Sequence, residues 1–152
     1  MTDPHLTAVA DARFLMRRAF RIVDEEARRA GIDPLANQLL VQLRGAPDMT
    51  HSVSELAVRL DVPPNLVSRL TRGLEEQGYV ERLSSTRDRR ITLVRATAAG
   101  EDIAREIGDR ARVGFASLRD VLSEDRRGAA LRVWVRNFGL EMQSLTSDHL
   151  RS

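Results

Sequence analysis

The chain has 152 residues and contains no cysteine. Disulfide bonds, thiolate metal sites and thiol-based redox sensing are therefore excluded. The three histidines, His5, His51 and His149, are far apart in sequence and form no pair with metal-ligand spacing. We accordingly expect neither a bound metal nor a cofactor.

The sequence also lacks a long apolar run, since no segment approaches the roughly 18 apolar residues of a membrane helix. Its first residues, MTDPHLTAVADARF, include an early acid and no apolar signal-peptide core. We therefore expect a cytoplasmic protein without a membrane partner. No nucleophile–base constellation, phosphate-cradling glycine loop or metal-ligand spacing is found, so we do not expect an enzyme.

Lysine is absent as well, and all 24 basic residues are arginine. A GC-rich genome is one explanation of this bias. The formal net charge of +2 is too small to indicate a partner by itself. Each cation is nonetheless a permanent planar donor, suited to bidentate contacts with phosphates and guanine edges. The positions of the arginines therefore carry more information than their number.

Apolar periodicity and capping residues predict six helices and two strands. The helices are expected over 7–30, from Asp33–Pro34 to near Gly45–Pro47, over 52–60 (capped by Ser52 or Ser54), over 65–78, over 97–122 (capped by Thr97) and from Ser123 onward. The segments YVERL and ITLVR read as two strands around an arginine-rich loop. A short helix, the turn DVPP, a longer helix and a hairpin form a winged helix-turn-helix. The predicted fold is mainly α with a small β-hairpin wing, flanked by N- and C-terminal helices.

The second helix of this motif has one apolar and one polar face. On a helical wheel, Val67, Leu70 and Leu74 form the buried stripe. The polar face carries Asn65, Ser68, Arg69, Arg72 and Glu76. In a recognition helix such residues contact bases, because arginine bonds guanine and asparagine bonds adenine in bidentate geometry. An ordinary solvated face is the alternative.

The loop between the strands concentrates Arg87, Arg89 and Arg90 around a single acid, Asp88. Two strands stiffen its base, so its tip can reach phosphates or an adjacent minor groove. Asp88 would repel phosphate, and we expect it to hold Arg90 or an arginine of the preceding helix. Residues 65–95 contain seven arginines and four acids, a surplus of three. A solvated charge run is the alternative.

Residues 52–100 resemble the DNA-binding lobe of the multiple-antibiotic-resistance regulator (MarR) family. The resemblance rests on the ordered set SELA, VSRL, LEEQGYVER, an Asp-Arg-Arg wing and a Thr-x-x-Gly helix start. It implies a homodimer on a pseudo-palindromic operator in double-stranded DNA. Residues 1–32 and 123–152 would form the dimerisation helices, 33–96 the winged helix-turn-helix DNA-binding lobe and 97–122 a helix linking that lobe to the dimerisation region. Apolar residues of the terminal helices, including Trp134, Phe138 and Met142, would pack across the dimer, with intrachain core packing as the alternative for Trp134.

The resemblance also implies residue roles. Asn65, Ser68 and Arg69 would read the major groove, Arg89 would enter the minor groove, and Asp88 and Arg90 would shape the wing. Family members often bind small aromatic or phenolic anions between the dimerisation helices and the lobe. Phe14, Arg17, Phe20 and Leu43 could line such a crevice, with core packing as the alternative.

Three positions depart from the family pattern. The wing begins with SST where an acid, often followed by proline, is usual. Arg72 stands where an acid or asparagine is common, which suggests another base preference or an added phosphate contact. Gly73 stands where a basic residue is common. One contact with the DNA backbone is therefore expected to be missing, or to be replaced by a contact from Arg72.

The sequence therefore predicts a dimeric, sequence-specific transcriptional regulator, a repressor relieved by a small ligand. The competing hypothesis is a winged-helix module that has lost DNA binding and contacts a protein. That module would require a neutral or acidic recognition face.

Overall fold

The computed structural model describes the backbone of residues 1–149 and the side chains of residues 1–137. Its elements in chain order are α1 (Pro4–Arg29), α2 (Pro34–Arg44), β1 (Thr50–Ser52), α3 (Val53–Leu60), α4 (Pro64–Glu76), β2 (Val80–Ser84), β3 (Thr92–Ala96), α5 (Ala98–Ala116) and α6 (Glu124–His149). The chain divides into two compact units. We call Val23–Ala111 the winged lobe and Met1–Ile22 with Arg112–Ser152 the helical unit. The domain boundaries drawn from the resemblance stay predictions.

The helix starts of the winged lobe follow local capping chemistry. Asp33 caps α2, and its carboxylate accepts hydrogen bonds from the backbone N–H groups of Leu35 and Ala36. Of the two serines considered for α3, Ser52 is the cap. Its hydroxyl accepts from the N–H of Glu55 at 3.1 Å, and the Glu55 carboxylate accepts from the N–H of Ser52 at 2.7 Å. Both predicted helix starts are confirmed.

The predicted hairpin is confirmed, but it belongs to a three-stranded antiparallel sheet of order β1-β3-β2. In the added strand β1, His51 pairs with Val94 of β3. The strand β1 was not predicted, because three residues are too few to show alternation and because they lead directly into the cap of α3. The wing therefore has a third strand at its base, on the edge of β3 opposite β2.

The core of the winged lobe is formed by aliphatic residues from its helices and sheet. The largest fully buried apolar side chains are Leu39, Leu40, Leu43, Leu56, Val67, Leu74, Val94 and Ile107. Val67 and Leu74 confirm the predicted stripe of α4, whereas Leu70 is only partly buried. Thr71 lies fully buried between them, which the apolar pattern did not indicate. Because this stripe points into the core, the opposite face of α4 remains in solvent.

The start of α5 is attached to the end of α4 by backbone contacts. The Thr97 hydroxyl donates to the carbonyl of Gly78 at 2.7 Å and accepts from the N–H of Gly100 at 3.1 Å. The N–H of Thr97 donates to the carbonyl of Tyr79 at 3.0 Å. A Cβ atom on Gly100 would lie only 2.0 Å from that Tyr79 oxygen. We call these four residues the Thr97 clamp. It holds the end of β3 and the start of α5 against the end of α4.

The predicted helix over 97–122 is too long. Helix α5 ends at Ala116, and a 3-10 turn over Ser117–Asp120 follows it. At this end the Ser117 hydroxyl donates to the carbonyl of Gly114 at 2.7 Å. Such a side-chain bond competes with the backbone ladder and accounts for the early stop.

The helical unit is held by an ion pair between α1 and α6. Arg126 donates to both carboxylate oxygens of the buried Asp11, at 2.9 and 2.7 Å. Hydrogen bonding to this carboxylate raises the pKa of Arg126 above its usual value. Large apolar side chains remain exposed on this unit, namely Leu6, Phe14, Phe20, Val113, Val121, Leu131, Trp134 and Val135. Phe138 and Met142 lie outside the described side chains.

No helix within the described residues combines the length and the apolar character that crossing a bilayer would require.

Candidate nucleic-acid interface

The outer face of α4 presents the predicted base-reading residues to solvent. Asn65, Arg69 and Arg72 are exposed, and Ser68 is partly exposed. Asn65 lies in the first turn, directly after Pro64, where backbone N–H groups and the positive end of the helix dipole favour a phosphate. The first half of α4 thus combines polar side chains with backbone donors.

The wing ends in a tight turn with two arginines at its centre. The N–H of Ser85 donates to the carbonyl of Ile91 at 3.1 Å and extends the ladder of β2 and β3. The N–H of Ile91 donates to the carbonyl of Asp88 at 3.0 Å, which closes a turn around Arg89 and Arg90. Arg89 therefore lies at the tip of the hairpin.

Asp88 binds Arg90 rather than an arginine of the helix. Its Oδ1 accepts from the backbone N–H of Arg90 at 2.9 Å and from Nε at 3.1 Å, and its Oδ2 accepts from Nη2 at 2.9 Å. The backbone N–H, Nε and Nη2 donors of Arg90 are therefore all bonded to Asp88. The neighbouring Arg87 and Arg89 guanidinium groups make no ion pair with any described residue.

Ion pairs also neutralise two further arginines of the region. Arg82 of β2 contacts Glu75 of α4 at 2.7 Å. Arg95 of β3 contacts Glu81 of β2, its partner in the antiparallel register, at 2.5 Å. Among the described residues, the arginines of segment 65–95 without an ion pair are Arg69, Arg72, Arg87 and Arg89. The charge surplus is therefore concentrated on four side chains of α4 and the wing.

The contact between Arg82 and Glu75 was not predicted. It joins the last turn of α4 to the first wing strand, so it ties the position of the wing to that helix. Glu75 and Arg82 are seven residues apart and lie in different elements, so neither helical nor strand periodicity in the sequence indicates that they meet. The cross-strand pair of Glu81 and Arg95 could have been found, because opposite charges on facing positions of a hairpin attract.

The family model described as "MarR family" matches residues 30–91, which lie within the winged lobe. This segment is therefore similar to the MarR family. MarR regulators are non-enzymatic DNA-binding transcription factors. Comparison with curated protein sequences gave no match.

Solved MarR structures share the fold of this chain at low identity. AbsC, a MarR family regulator from Streptomyces coelicolor, has a TM-score of 0.70 at 16% identity, covering 95% of this chain and 97% of AbsC. A MarR mutant from E. coli complexed with operator DNA has a TM-score of 0.67 at 23% identity, covering 83% and 89%. Sco3205 from S. coelicolor, in complex with DNA, has a TM-score of 0.64 at 21% identity, covering 90% and 84%.

Gly73, one of the departures from the MarR pattern, has open space around its Cα. A Cβ atom built on Gly73 has no neighbour within 4 Å. Steric crowding therefore does not explain the glycine at this position. The adjacent Arg72 is exposed and remains the predicted substitute for the missing basic residue.

The four residues assigned to a MarR ligand crevice fall into two environments. Phe14, Arg17 and Phe20 are exposed on α1 in the helical unit. Leu43 is fully buried in the core of the winged lobe, and core packing accounts for it. The cavity within the helical unit is lined instead by the α1 residues Leu15, Met16 and Ala19. The ligand role of Phe14, Arg17 and Phe20 stays a prediction.

The pKa of Asp88 should depend on Arg90 and not on Arg87. Hydrogen bonds from the side chain and backbone of Arg90 hold the pKa of Asp88 below its usual value. A lowered folded-state pKa stabilises the wing above the unfolded value of about 3.9, and this contribution is lost as the pH falls further. In carboxyl NMR titrations, Arg90→Gln should raise the Asp88 pKa towards its ordinary value, whereas Arg87→Gln should leave it low. An equal effect of both variants would contradict the assignment.

Proposed function

We propose that the chain is a homodimeric repressor that binds a pseudo-palindromic operator in double-stranded DNA and is released by a small ligand. The observation that carries this proposal is the set of four arginines on α4 and the wing that lack an ion pair within the described chain. Cations left without carboxylate partners are available to phosphates and guanine edges. Such a protein would act in the cytoplasm, where it meets the genome.

The side chains of α4 would occupy the major groove. Asn65, Ser68 and Arg69 would contact base edges, and Arg72 would add a base or phosphate contact. The wing would lie beside the neighbouring minor groove. Arg89 at the turn would enter it, and Arg87 would contact the flanking phosphates. Asp88 and Arg90 would give the turn its shape.

Dimerisation would bring two winged lobes onto one duplex. The exposed apolar residues of α1, α5 and α6 support this assembly, because a lone helical unit would leave them in water. Two recognition helices must then lie about one turn of DNA apart, roughly 34–36 Å. The E. coli MarR mutant and Sco3205 described above were crystallised with DNA, which supports the same partner here.

Release by a ligand would follow from a shift in lobe spacing. A ligand that prefers another spacing removes population from the form that fits two half-sites. A screen of aromatic acids against the protein–DNA complex tests this step. If no acid releases DNA, the effector part of the proposal fails while the DNA-binding part stands.

The proposal is tested by selecting bound fragments from the source genome and measuring their affinity. Arg69→Ala should weaken binding by roughly five- to 150-fold, the equivalent of about 1–3 kcal/mol, and should relax the preference at one base position. Arg44→Ala is the control, because Arg44 is exposed on α2 and carries the same charge outside the proposed interface.

Two outcomes would contradict the proposal. One is a wild-type protein that retains no DNA even at low ionic strength, where phosphate contacts are strongest. The other is an equal loss of affinity in Arg69→Ala and Arg44→Ala, which would indicate a general charge effect. The alternative of a protein-interaction module is disfavoured, because it requires a neutral or acidic face where Asn65, Arg69 and Arg72 are exposed.

A further inference from the structure

One ion pair of the winged lobe joins α4 to the wing. The Nε of Arg82 donates to Oε2 of Glu75 at 2.8 Å, and Nη2 lies 2.7 Å from the same oxygen. Glu75 belongs to the last turn of α4, and Arg82 is the central residue of β2. Because two nitrogens of one planar guanidinium group share this oxygen, the contact restricts the orientation of the side chain as well as its distance. The pair therefore constrains the direction of β2 relative to α4.

Strand alternation explains why Arg82 meets the helix. Arg82 lies opposite the buried Val94 of β3 in the antiparallel register, and residues that face each other across a ladder project to the same side of the sheet. Val80, two residues before Arg82, is also buried on that side. Arg82 is therefore on the side of the wing that packs towards the core, at its edge, where Glu75 of α4 is its partner.

A second ion pair of the wing has the same chemistry but joins different elements. Arg95 of β3 donates to Oε1 of Glu81 in β2, from Nε at 2.6 Å and from Nη2 at 2.5 Å. The side chains of Arg82 and Glu75 are 44% and 36% exposed, and those of Arg95 and Glu81 are 44% and 45% exposed. Both partners of the second pair lie within the hairpin. It therefore matches the first pair in chemistry and exposure without constraining how the wing is directed from α4.

We propose that Glu75 and Arg82 are positioning residues, whose ion pair sets the direction of the wing relative to α4 and thereby the place where Arg89 meets the duplex. The inference rests on the proposed DNA binding, because Arg69 on α4 and Arg89 on the wing must then reach one duplex together. The Thr97 clamp holds the base of the wing, whereas Arg82 lies further along β2 towards the tip. Since half-exposed ion pairs contribute little to folding stability, loss of this pair should redirect the wing without unfolding the lobe.

The sign of the change in DNA affinity separates positioning from simple electrostatics. Glu75→Gln removes an acid and frees Arg82, so by charge alone it should raise the affinity for a polyanion. A redirected wing should instead weaken binding about three- to tenfold. Glu81→Gln is the matched control, because it also removes an acid and frees an arginine, and it should not weaken binding. Fluorescence anisotropy of the full-length variants with the duplex selected from the source genome measures the affinities.

Two further comparisons test the connection to Arg89. In the Glu75→Gln background, Arg89→Ala should cost less affinity than in the wild type, because a redirected tip has already lost its groove contact. In the Glu81→Gln background it should cost as much as in the wild type. Combining Glu75→Arg with Arg82→Glu restores an ion pair between the same elements and should return the affinity to within about threefold of the wild type. Arg82→Glu alone should not.

A measurement without DNA keeps the inference separate from the proposed function. Residual dipolar couplings of the full-length protein report the directions of the backbone N–H groups in α4 and the wing. In the wild type and in Glu81→Gln, the couplings of both elements should fit one common alignment. In Glu75→Gln, the couplings of the wing should depart from the alignment that α4 defines. A wild type that retains no DNA overturns the proposed function, and the couplings then decide by themselves whether the ion pair directs the wing.

Two results would overturn the inference. An affinity that rises in Glu75→Gln as much as in Glu81→Gln would show that the acid acts through its charge alone. Wing couplings in Glu75→Gln that still fit the alignment of α4 would show that the Thr97 clamp directs the wing without the ion pair.

Discussion

Replacing Gly100 with alanine should lower the free energy of unfolding of the winged lobe by about 3 kcal/mol or more. The added Cβ would lie 2.0 Å from the carbonyl oxygen of Tyr79 and 2.9 Å from its carbon. Both are backbone atoms, so no side-chain rotation can relieve the overlap. The first turn of α5 would have to move away, and the Thr97 hydrogen bonds to Gly78 and Tyr79 would be lost with it.

Gly108 provides the matched control on the same helix. A Cβ built there has no neighbour within 4 Å. Gly108→Ala should therefore stabilise the protein by about 1 kcal/mol through helix propensity alone. Urea unfolding of both variants at one protein concentration measures the difference. Similar stabilities for the two variants would show that the contact between Gly100 and Tyr79 does not constrain the lobe.

In the proposed interface, removing Arg69 and Arg89 together should reduce operator affinity on the order of 10²- to 10³-fold. Arg69 would lose a base contact in the major groove and Arg89 a contact in the minor groove. Because the two residues lie on different elements and share no partner, their separate effects should add. Fluorescence anisotropy with the wild type, both single variants and the double variant measures this additivity.

The salt dependence of the same variants separates their roles. Arg89→Ala should weaken binding most at A·T-flanked sites, since narrow minor grooves attract arginine. It should also reduce the slope of log affinity against log salt by about 0.9 for each phosphate contact that is lost. The charge-matched control is Arg28→Ala with Arg44→Ala, two exposed positions outside α4 and the wing. Equal losses in the double variant and this control would contradict the assigned interface.

The helix starts of the winged lobe could be read from the sequence because capping is a local interaction. Asp33, Ser52 and Thr97 each bind backbone groups within three residues. The apolar stripe of α4 was visible for the same reason, since periodicity encodes which face is buried. The strand β1 and the end of α5 were missed. The first depends on pairing with β3, and the second depends on a serine side chain that competes with the helix ladder.

The candidate interface was predictable only in part. Residue type and spacing identified Asn65, Arg69 and Arg89 as exposed donors. They could not show which acids neutralise which arginines, because the contact between Glu75 and Arg82 depends on how α4 packs against β2. The cavity within the helical unit was not predicted either. Its walls come from α1, α5, the 3-10 turn and α6, and their approach is a property of tertiary packing.

The hydrogen bonds of the wing differ in how far along the chain they reach. The turn around Arg89 is closed by hydrogen bonds between near neighbours, such as that from the N–H of Ile91 to the carbonyl of Asp88. The Thr97 hydroxyl instead bonds a carbonyl 19 residues away. Local opening of the turn therefore breaks few contacts, whereas opening of the base requires sub-global unfolding. Amide hydrogen exchange should therefore be fast in the turn around Arg89 and slow at the base of the wing near Thr97. In the proposed DNA complex, the turn could adapt to a curved duplex while the base of the wing keeps its position.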